Sequence, residues 1–205
     1  PEVSTVSLDE LQIEDIPQVS ILENEHLIEE FSENEVRAAI FQMEHNKAHG
    51  LDGFPPEFYQ VFWNLIKDDL MALFREFHQG ELHLHSLNFG NIILLPKKDD
   101  ARVIQQYRPI CLLNVSFKIF TKVALNRLTS VAHKIIRPTQ TAFLPGTNIM
   151  EGAVILHETI HELSSKKQDG IIFKIDFEKA YDNVKWSFLQ QSLRMKGFSQ
   201  KWCDW

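Results

Sequence analysis

The order of the apolar patterns along the chain is the feature that most limits its possible folds. Two patterns of helical spacing come first, two strand-like runs follow, and the remainder reads helix, helix, strand and helix. Because helices and strands do not alternate regularly, this order favours an α+β fold over a regular βαβ array. With 205 residues, of which 44% are hydrophobic, the chain can form one sizeable core or two small lobes.

The first part of the chain predicts a lead-in segment and two helices. Residues 1–31 alternate acids with isolated apolar residues, so we expect an extended or loosely helical segment. Ser32 and Glu35 have the spacing of a capping box and predict the start of a short helix. After a loop, the apolar spacing over 56–79 predicts one long helix that ends at Gly80 and has its aromatic stripe in the core.

The rest of the chain predicts a hairpin, two further helices, a strand and a last helix. A turn rich in lysine and aspartate joins the two strands of the hairpin. Asn114 and Asn148 each precede a helical pattern and can cap it. The predicted ranges are strand 89–95, strand 107–113, helix 115–136, helix 149–163, strand 171–177 and helix 184–196.

Positive charge is concentrated in one segment of an acidic chain. The net charge is −7, and residues 1–46 hold twelve acids against one arginine. Residues 96–137, the basic segment, reverse this balance with nine lysines and arginines against two aspartates. Such a segment can follow a phosphate backbone or bind a triphosphate, but a solvated helix face has the same composition. Composition alone leaves both interpretations open.

Cysteine spacing and hydropathy argue against two classes of protein. Cys111 and Cys203 lie 92 positions apart without metal-type spacing, which favours free thiols in a reducing compartment. No apolar run reaches the roughly 18 residues that a membrane span needs, and the N-terminus has no targeting pattern. The chain opens with Pro1 and stops where an amphipathic pattern begins, so we expect a segment of a longer polypeptide.

The last predicted strand carries an acid at its end. Phe173, Ile175 and Phe177 alternate on one face, so Asp176 stands at the strand's end on the other face. A carboxylate in this position can bind Mg²⁺, which prefers carboxylate and phosphate oxygens. A surface aspartate at a strand end fits the same pattern, and the residues alone leave both interpretations open.

A second motif points to a different chemistry. His157, Glu158 and His161 match H-E-x-x-H, in which two histidines one helical turn apart bind zinc and the glutamate acts as a base. No G-x-x-H follows, and a third carboxylate such as Glu178 or Asp182 would have to come from a segment predicted as strand and turn. Exposed histidines on an amphipathic helix are therefore favoured, and a zinc hydrolase stays an alternative.

Five segments together resemble the reverse transcriptases of non-LTR (LINE-type) retrotransposons, particularly those of plants. They occur in the family's order and cover most of the chain. The resemblance of each segment alone is weak evidence, whereas five such segments in the family's order are specific to it. They are NKAHGLDGFPPEFYQVFW (46–63), NIILLPKK (91–98), YRPICLLNVSFKIFTKVALNRL (107–128), QTAFLPG (140–146) and FKIDFEKAYDNVKWSFL (173–189).

The resemblance implies a right-hand polymerase architecture of fingers and partial palm. We expect an acidic helical lead-in over 1–45, reverse transcriptase fingers over 46–168 and the start of the palm over 169–205. The family's catalytic Asp-Asp pair and its thumb have no counterpart, so we expect the chain to stop before the catalytic hairpin. His49 and Leu51 stand where the family has prolines, which indicates drift in a decaying copy.

The same resemblance implies roles for individual residues. Asp176 would be the catalytic metal ligand of a two-Mg²⁺ nucleotidyltransferase, with the Phe177 carbonyl as a further ligand. Lys97 and Arg108 would bind the triphosphate, the arginine as a bidentate fork and the lysine as a point charge. The other implied contacts are phosphate at the backbone of Lys179 and Ala180, the sugar at Tyr181, the template at Gln140 and Phe143, and a structural role for Asp182.

The implied reaction joins deoxynucleoside triphosphates to the 3′-hydroxyl of a DNA primer on an RNA template, with Mg²⁺ as cofactor and no membrane. The location expected from the family is the nucleus or the cytoplasm. Since one carboxylate cannot hold two metal ions, we expect the isolated chain to be inactive. The alternative is a non-catalytic nucleic-acid-binding remnant that uses the basic segment.

Overall fold

The computed structural model describes residues 16–137, 139–140, 142–175 and 183–205. Strands β1 (Gly90–Pro96) and β2 (Tyr107–Leu113) form an antiparallel hairpin. Helices and strands are thus both present, in agreement with the predicted α+β class. The helices are α1 (Ile21–Leu27), α2 (Glu33–Phe41), α3 (Pro56–Val61), α4 (Trp63–Gln79), α5 (Val115–Ile135), α6 (Ile149–Ser165), α7 (Trp186–Met195) and α8 (Gln200–Asp204).

Two compact units make up the chain, and the one formed by residues 29–127 has an aromatic core. Phe74 of α4 stacks on Phe120 of α5 with ring centroids 4.1 Å apart, and Phe31 lies 5.0 Å from Phe74. Such pairs add about 0.5–1.5 kcal/mol beyond the area that they bury. The other buried apolar side chains of this unit are Val36, Ala39, Ile40, Tyr59, Trp63, Leu70, Val115, Ile119 and Val123.

The second unit, formed by the described residues of 1–28 and 128–205, has a smaller core. The Asn24 side chain donates to the Gly197 carbonyl and accepts from the Ser199 amide, both at 2.7 Å. Gly197 has φ +77°, a conformation that favours glycine. The described part of the lead-in is therefore packed and not loose. The core side chains are Val19, Leu27, Val131, Ile135, Phe198 and Cys203.

Several predicted elements and caps are confirmed. Strand β2 has the predicted range, and α5 and α6 end within two residues of their predicted ends. Ser32 Oγ accepts from the amide of Glu35 at 3.2 Å, and Asn148 Oδ1 accepts from the amide of Met150 at 2.9 Å. Gly80 ends α4 in the left-handed conformation at φ +78°. These features depend on residues close in sequence, which is why local patterns predict them.

The single helix predicted over 56–79 is wrong, because the structure divides it into α3 and α4. Phe62 separates the two helices at φ −96° and ψ 16°. Tyr59 and Trp63 are buried, whereas Phe62 and Leu65, which were expected in the apolar stripe, are exposed. The backbone of Phe62 departs from helical geometry, so a stripe drawn for one continuous helix does not apply across it.

The strand predicted over 171–177 is not found in its described part. Residues 171–175 have no regular secondary structure, and Ile171, Phe173 and Ile175 are exposed. Residues 176–182 lie outside the described ranges. A strand requires a neighbour for its backbone hydrogen bonds, and the sheet found in the described residues contains only β1 and β2.

The two cysteines differ in their exposure to solvent. Cys111 is exposed and Cys203 is buried, and both are free thiols. Burial raises the pKa of the Cys203 thiol. Within the ranges that the structure describes, no helix is both long enough and apolar enough to cross a membrane.

Candidate functional site

The β1–β2 hairpin places Lys97 and Arg108 on one face. Arg108 pairs with Leu95, and the Lys97 amide extends the ladder by donating to the Gln106 carbonyl at 2.7 Å. Because side chains alternate along a strand, Lys97 and Arg108 are diagonal neighbours on this face. Residues in this relation typically have their backbones about 7–8 Å apart. Lys97 Nζ donates to the Gln105 carbonyl at 2.8 Å. Two cationic side chains at neighbouring positions on one face can bind different oxygens of one polyphosphate.

Side-chain hydrogen bonds close the turn between the two strands. Gln106 Oε1 accepts from the amides of Arg102 at 2.7 Å and Val103 at 3.3 Å. The Tyr107 hydroxyl donates to the Ala101 carbonyl at 3.0 Å. The turn that carries the lysines is therefore an ordered part of the hairpin.

The loop before α3 packs against the residue that joins β2 to α5. A Cβ on Gly50 would collide with the Oδ1 and the backbone nitrogen of Asn114, so a larger residue would force a shift. Asn114, which was predicted as a helix cap, accepts with Oδ1 from the Asp52 amide at 3.4 Å. Lys118 Nζ donates to the Ala48 carbonyl at 3.2 Å. Two of the motif segments thus meet next to the end of β2.

Part of the basic segment serves the fold. Arg127 is only 5% exposed, and its Nε and Nη2 bind the Glu35 carboxylate at 2.6 and 2.8 Å. The guanidinium also donates to the carbonyls of Glu29 and Glu30 and lies 4.1 Å from the centroid of the Phe31 ring. A guanidinium held in this way cannot follow a phosphate backbone, which weakens the interpretation of the basic segment as one nucleic-acid-binding face.

The two residues predicted near the template lie in the connection between α5 and α6. Gln140 Nε2 donates to the Ala142 carbonyl at 3.1 Å. Phe143 is fully exposed and has φ +66°, a left-handed conformation that is rare for a bulky residue. An exposed ring on a strained backbone is suited to stacking on a base.

The residues expected to carry the chemistry lie outside the described ranges. They are Asp176, Phe177, Lys179, Ala180, Tyr181 and Asp182, and their roles stay predictions. Within the described ranges, no group of three histidine, cysteine or acidic side chains is arranged to hold a metal ion. His157 and His161 do lie on α6, as predicted, but they are exposed and the described residues add no third ligand.

The chain matches a known family over the segment that contains most of these motifs. Residues 95–205 match the family described as reverse transcriptase (RNA-dependent DNA polymerase), which is more than half of the chain. The chain belongs to the reverse transcriptase family. The matched range contains Lys97 and Arg108 of the hairpin, Gln140 and Phe143 of the loop, and Asp176.

Individual relatives of this reverse transcriptase chain come from mobile elements. It is 34% identical over 184 residues to the Transposon TX1 uncharacterized 149 kDa protein of Xenopus laevis, covering 89% of the chain and 14% of that protein. It is 25% identical over 135 residues to the Retrovirus-related Pol polyprotein from type-1 retrotransposable element R2 of Nasonia vitripennis, covering 65% of the chain and 13% of that protein. It is also 25% identical over 157 residues to the Retrovirus-related Pol polyprotein from type-1 retrotransposable element R1 of Bradysia coprophila, covering 75% of the chain and 15% of that protein. These relatives support the non-LTR type, and the chain spans 13–15% of their lengths.

Sequence reasoning missed the contacts of Gly50 and Tyr107 in this reverse transcriptase chain. Gly50 was predicted only as a loop residue, and its neighbour Asn114 is 64 positions away. Tyr107 was predicted only as the first residue of a strand. A tyrosine next to a long turn is a weak signal for a hydroxyl contact across that turn, and no spacing rule indicates the contact of Gly50.

Proposed function

We propose that this chain contributes the fingers and the first part of the palm to an RNA-directed DNA polymerase of a non-LTR retrotransposon. Family membership and the order of the five motif segments support the proposal. The polymerase adds deoxynucleotides to the 3′-hydroxyl of a DNA primer on an RNA template, in the nucleus or the cytoplasm. The residues of the five motif segments support a plant element.

The observation that carries the proposal is the position of Lys97 and Arg108 on one face of the hairpin. The guanidinium is a planar fork that can bind two oxygens of one phosphate, and the ammonium is a compact charge with three donors. In the proposed site both side chains bind the triphosphate of the incoming nucleotide. Lys97 Nζ exchanges an exposed backbone carbonyl for a phosphate oxygen, which is a stronger, charge-assisted partner.

The proposed palm residues come from the motif FKIDFEKAYD. Asp176 and the Phe177 carbonyl would hold Mg²⁺, which when bound lowers the pKa of the primer hydroxyl and stabilises the leaving pyrophosphate. Support for this site is the motif itself. The remaining assignments are phosphate contact at Lys179 and Ala180, packing beneath the sugar at Tyr181, and a structural role for Asp182.

Gln140 and Phe143 are proposed to contact the template strand. The exposed ring of Phe143 supports this role, because stacking on an aromatic ring contributes about 1–3 kcal/mol per base in single-stranded complexes. Stacking tolerates any base, which suits a polymerase that copies many template sequences.

Binding of deoxythymidine triphosphate to the chain in the presence of Mg²⁺ tests the hairpin site. Lys97→Met and Arg108→Met are each expected to weaken binding about tenfold or more, because each removes a charge-assisted hydrogen bond. Isothermal titration calorimetry measures the change. Lys98→Met is the matched control, since it removes the same charge from the next residue, which pairs with Asp100 at 3.3 Å in the turn.

Equal losses for Lys97→Met and Lys98→Met would contradict the proposal, because they would indicate attraction by net charge alone. Asp176→Asn separately tests the metal ligand. It is expected to remove the gain in nucleotide affinity that Mg²⁺ provides, and an unchanged gain would exclude Asp176 from the site.

We expect the chain alone not to extend a primer on an RNA template, because Asp176 is the single carboxylate proposed as a ligand for two metal ions. A gel-based extension assay with Mg²⁺ measures this. Extension that Asp176→Ala abolishes would show that the chain is sufficient for catalysis.

A further inference from the structure

Among the described residues, the hairpin that carries Lys97 and Arg108 has little packing to hold it. Both strands are largely exposed, and Ile92 and Leu95 are 69% and 47% exposed. An isolated two-stranded hairpin is at best marginally stable in water. The relative position of the two cations therefore depends on contacts within the hairpin.

Tyr107 makes a side-chain contact from the start of β2 into the turn. It pairs with Pro96, so its ring lies on the face opposite to that of Arg108. The residue is half-buried, and its hydroxyl donates to the carbonyl of Ala101, six positions earlier, at 3.0 Å. A ligand bound on the Arg108 face does not meet this ring, but the turn that the hydroxyl holds begins at Lys97.

Gln106 also holds the turn between β1 and β2. Its carbonyl accepts from the Lys97 amide at 2.7 Å, and its side-chain oxygen accepts from the amides of Arg102 and Val103. Gln106 and Tyr107 are adjacent, so their side chains hold the turn from the two faces of the ribbon. Together they favour one closed arrangement of the turn.

We propose that Tyr107 is a positioning residue of the triphosphate site, whose hydroxyl closes the turn and so keeps Lys97 and Arg108 at a spacing that fits a triphosphate. This inference rests on the proposed function of the hairpin. Removal of the hydroxyl leaves the ring in place but releases the Ala101 carbonyl. Open arrangements of the turn then become populated, and the apparent affinity falls in proportion to the closed fraction.

Inorganic tripolyphosphate is the probe, titrated calorimetrically into the full chain at low ionic strength. Tyr107→Phe is expected to weaken binding about three- to tenfold, which corresponds to the loss of one hydrogen bond. Tyr59→Phe is the matched control, because it removes a hydroxyl that is hydrogen-bonded to Ser116 in the same unit but outside the hairpin. The control is expected to bind tripolyphosphate as the unchanged chain does.

The double variant separates positioning from a general effect on structure. In an Arg108→Met background, Tyr107→Phe is expected to cause little further loss, since positioning has no effect once the positioned cation is gone. Independent, multiplying losses would overturn the inference, because Tyr107 would then act other than through Arg108.

Amide hydrogen exchange provides a second measurement that does not depend on ligand binding. The amides of Lys97, Val103 and Gln106 are expected to exchange faster in Tyr107→Phe, with α5 unaffected. Unchanged exchange at the turn would overturn the inference. If Arg108→Met weakens binding and Tyr107→Phe does not, only the role of Tyr107 fails. If Arg108→Met also binds normally, the proposed function of the hairpin fails with it.

Discussion

Glu35 is a residue whose local and distant partners compete. Its spacing from Ser32 predicts a reciprocal capping box, and the Ser32 half of that box is present. The Glu35 carboxylate instead binds the guanidinium of Arg127, 92 positions away. A bidentate pair between two charged groups is stronger than a bond to one backbone amide, so the distant partner prevails.

Arg127→Met is expected to destabilise the 29–127 unit by about 3 kcal/mol, because it leaves a partly buried carboxylate and two carbonyls without their donor. Urea unfolding followed by circular dichroism measures the loss. Lys67→Met is the control, since it breaks the more exposed pair of Lys67 with Glu33 and is expected to cost less than about 1 kcal/mol. Equal losses for the two variants would show that burial of Arg127 contributes nothing.

At the scale of elements, α1 is held by its cap and by an ion pair. Ser20 and Glu23 form a complete capping box, and Lys134 of α5 binds the Glu23 carboxylate at 2.7 Å. The ammonium of Lys134, followed by the bonds from Ser20, lowers the pKa of Glu23 from 4.5 to about 2. The ionised carboxylate is therefore the form that stabilises α1 in the folded chain.

The stability of the chain is expected to depend on Glu23 in acid. Because its pKa is lower in the folded chain, its contribution is complete above about pH 4.5 and is lost as the pH falls to about 2. Glu23→Gln is expected to lower the thermal midpoint above pH 4.5 and to flatten its decline below that pH. Thermal unfolding at stepped pH measures this, with Glu25→Gln, two residues on in α1, as the matched control. An unchanged acid profile would contradict the role of Glu23.

Helix boundaries show where element prediction succeeds and fails. The caps at Ser32 and Asn148 and the stop at Gly80 were predictable because each acts within a few residues. The interruption at Phe62 was not, since residues 56–79 contain no proline or glycine after Pro56 that would mark it. Burial of Tyr59 and Trp63 accompanies this break, and burial is a tertiary property.

At the scale of the whole molecule, large apolar side chains remain exposed on several elements. Ile92 and Leu94 of β1, and Ile155 and Ile160 of α6, are examples. Where such side chains are contiguous, the apolar surface favours association and dye binding.

The purified chain is expected to bind the dye ANS under native conditions and to elute from size exclusion in a concentration-dependent manner. Ile92→Thr with Leu94→Thr is expected to reduce the dye fluorescence, because the pair removes exposed apolar surface while retaining β-branched or strand-compatible side chains. Ser187→Thr in α7 is a control outside the hairpin. Dye fluorescence at the level of a well-packed monomer would contradict the exposure of these residues.

The sequence by itself determined the basic hairpin, the positions of several helices, two helix caps and the family, because these follow from local spacing and from motifs in a fixed order. Only the tertiary structure decided that Glu35 pairs with Arg127, that Gly50 packs against Asn114 and that Tyr107 closes the turn between the strands. The first two contacts join residues far apart along the chain, and the third depends on the register of the hairpin. Each requires the backbone to be folded before its two groups can meet, so no local pattern encodes it.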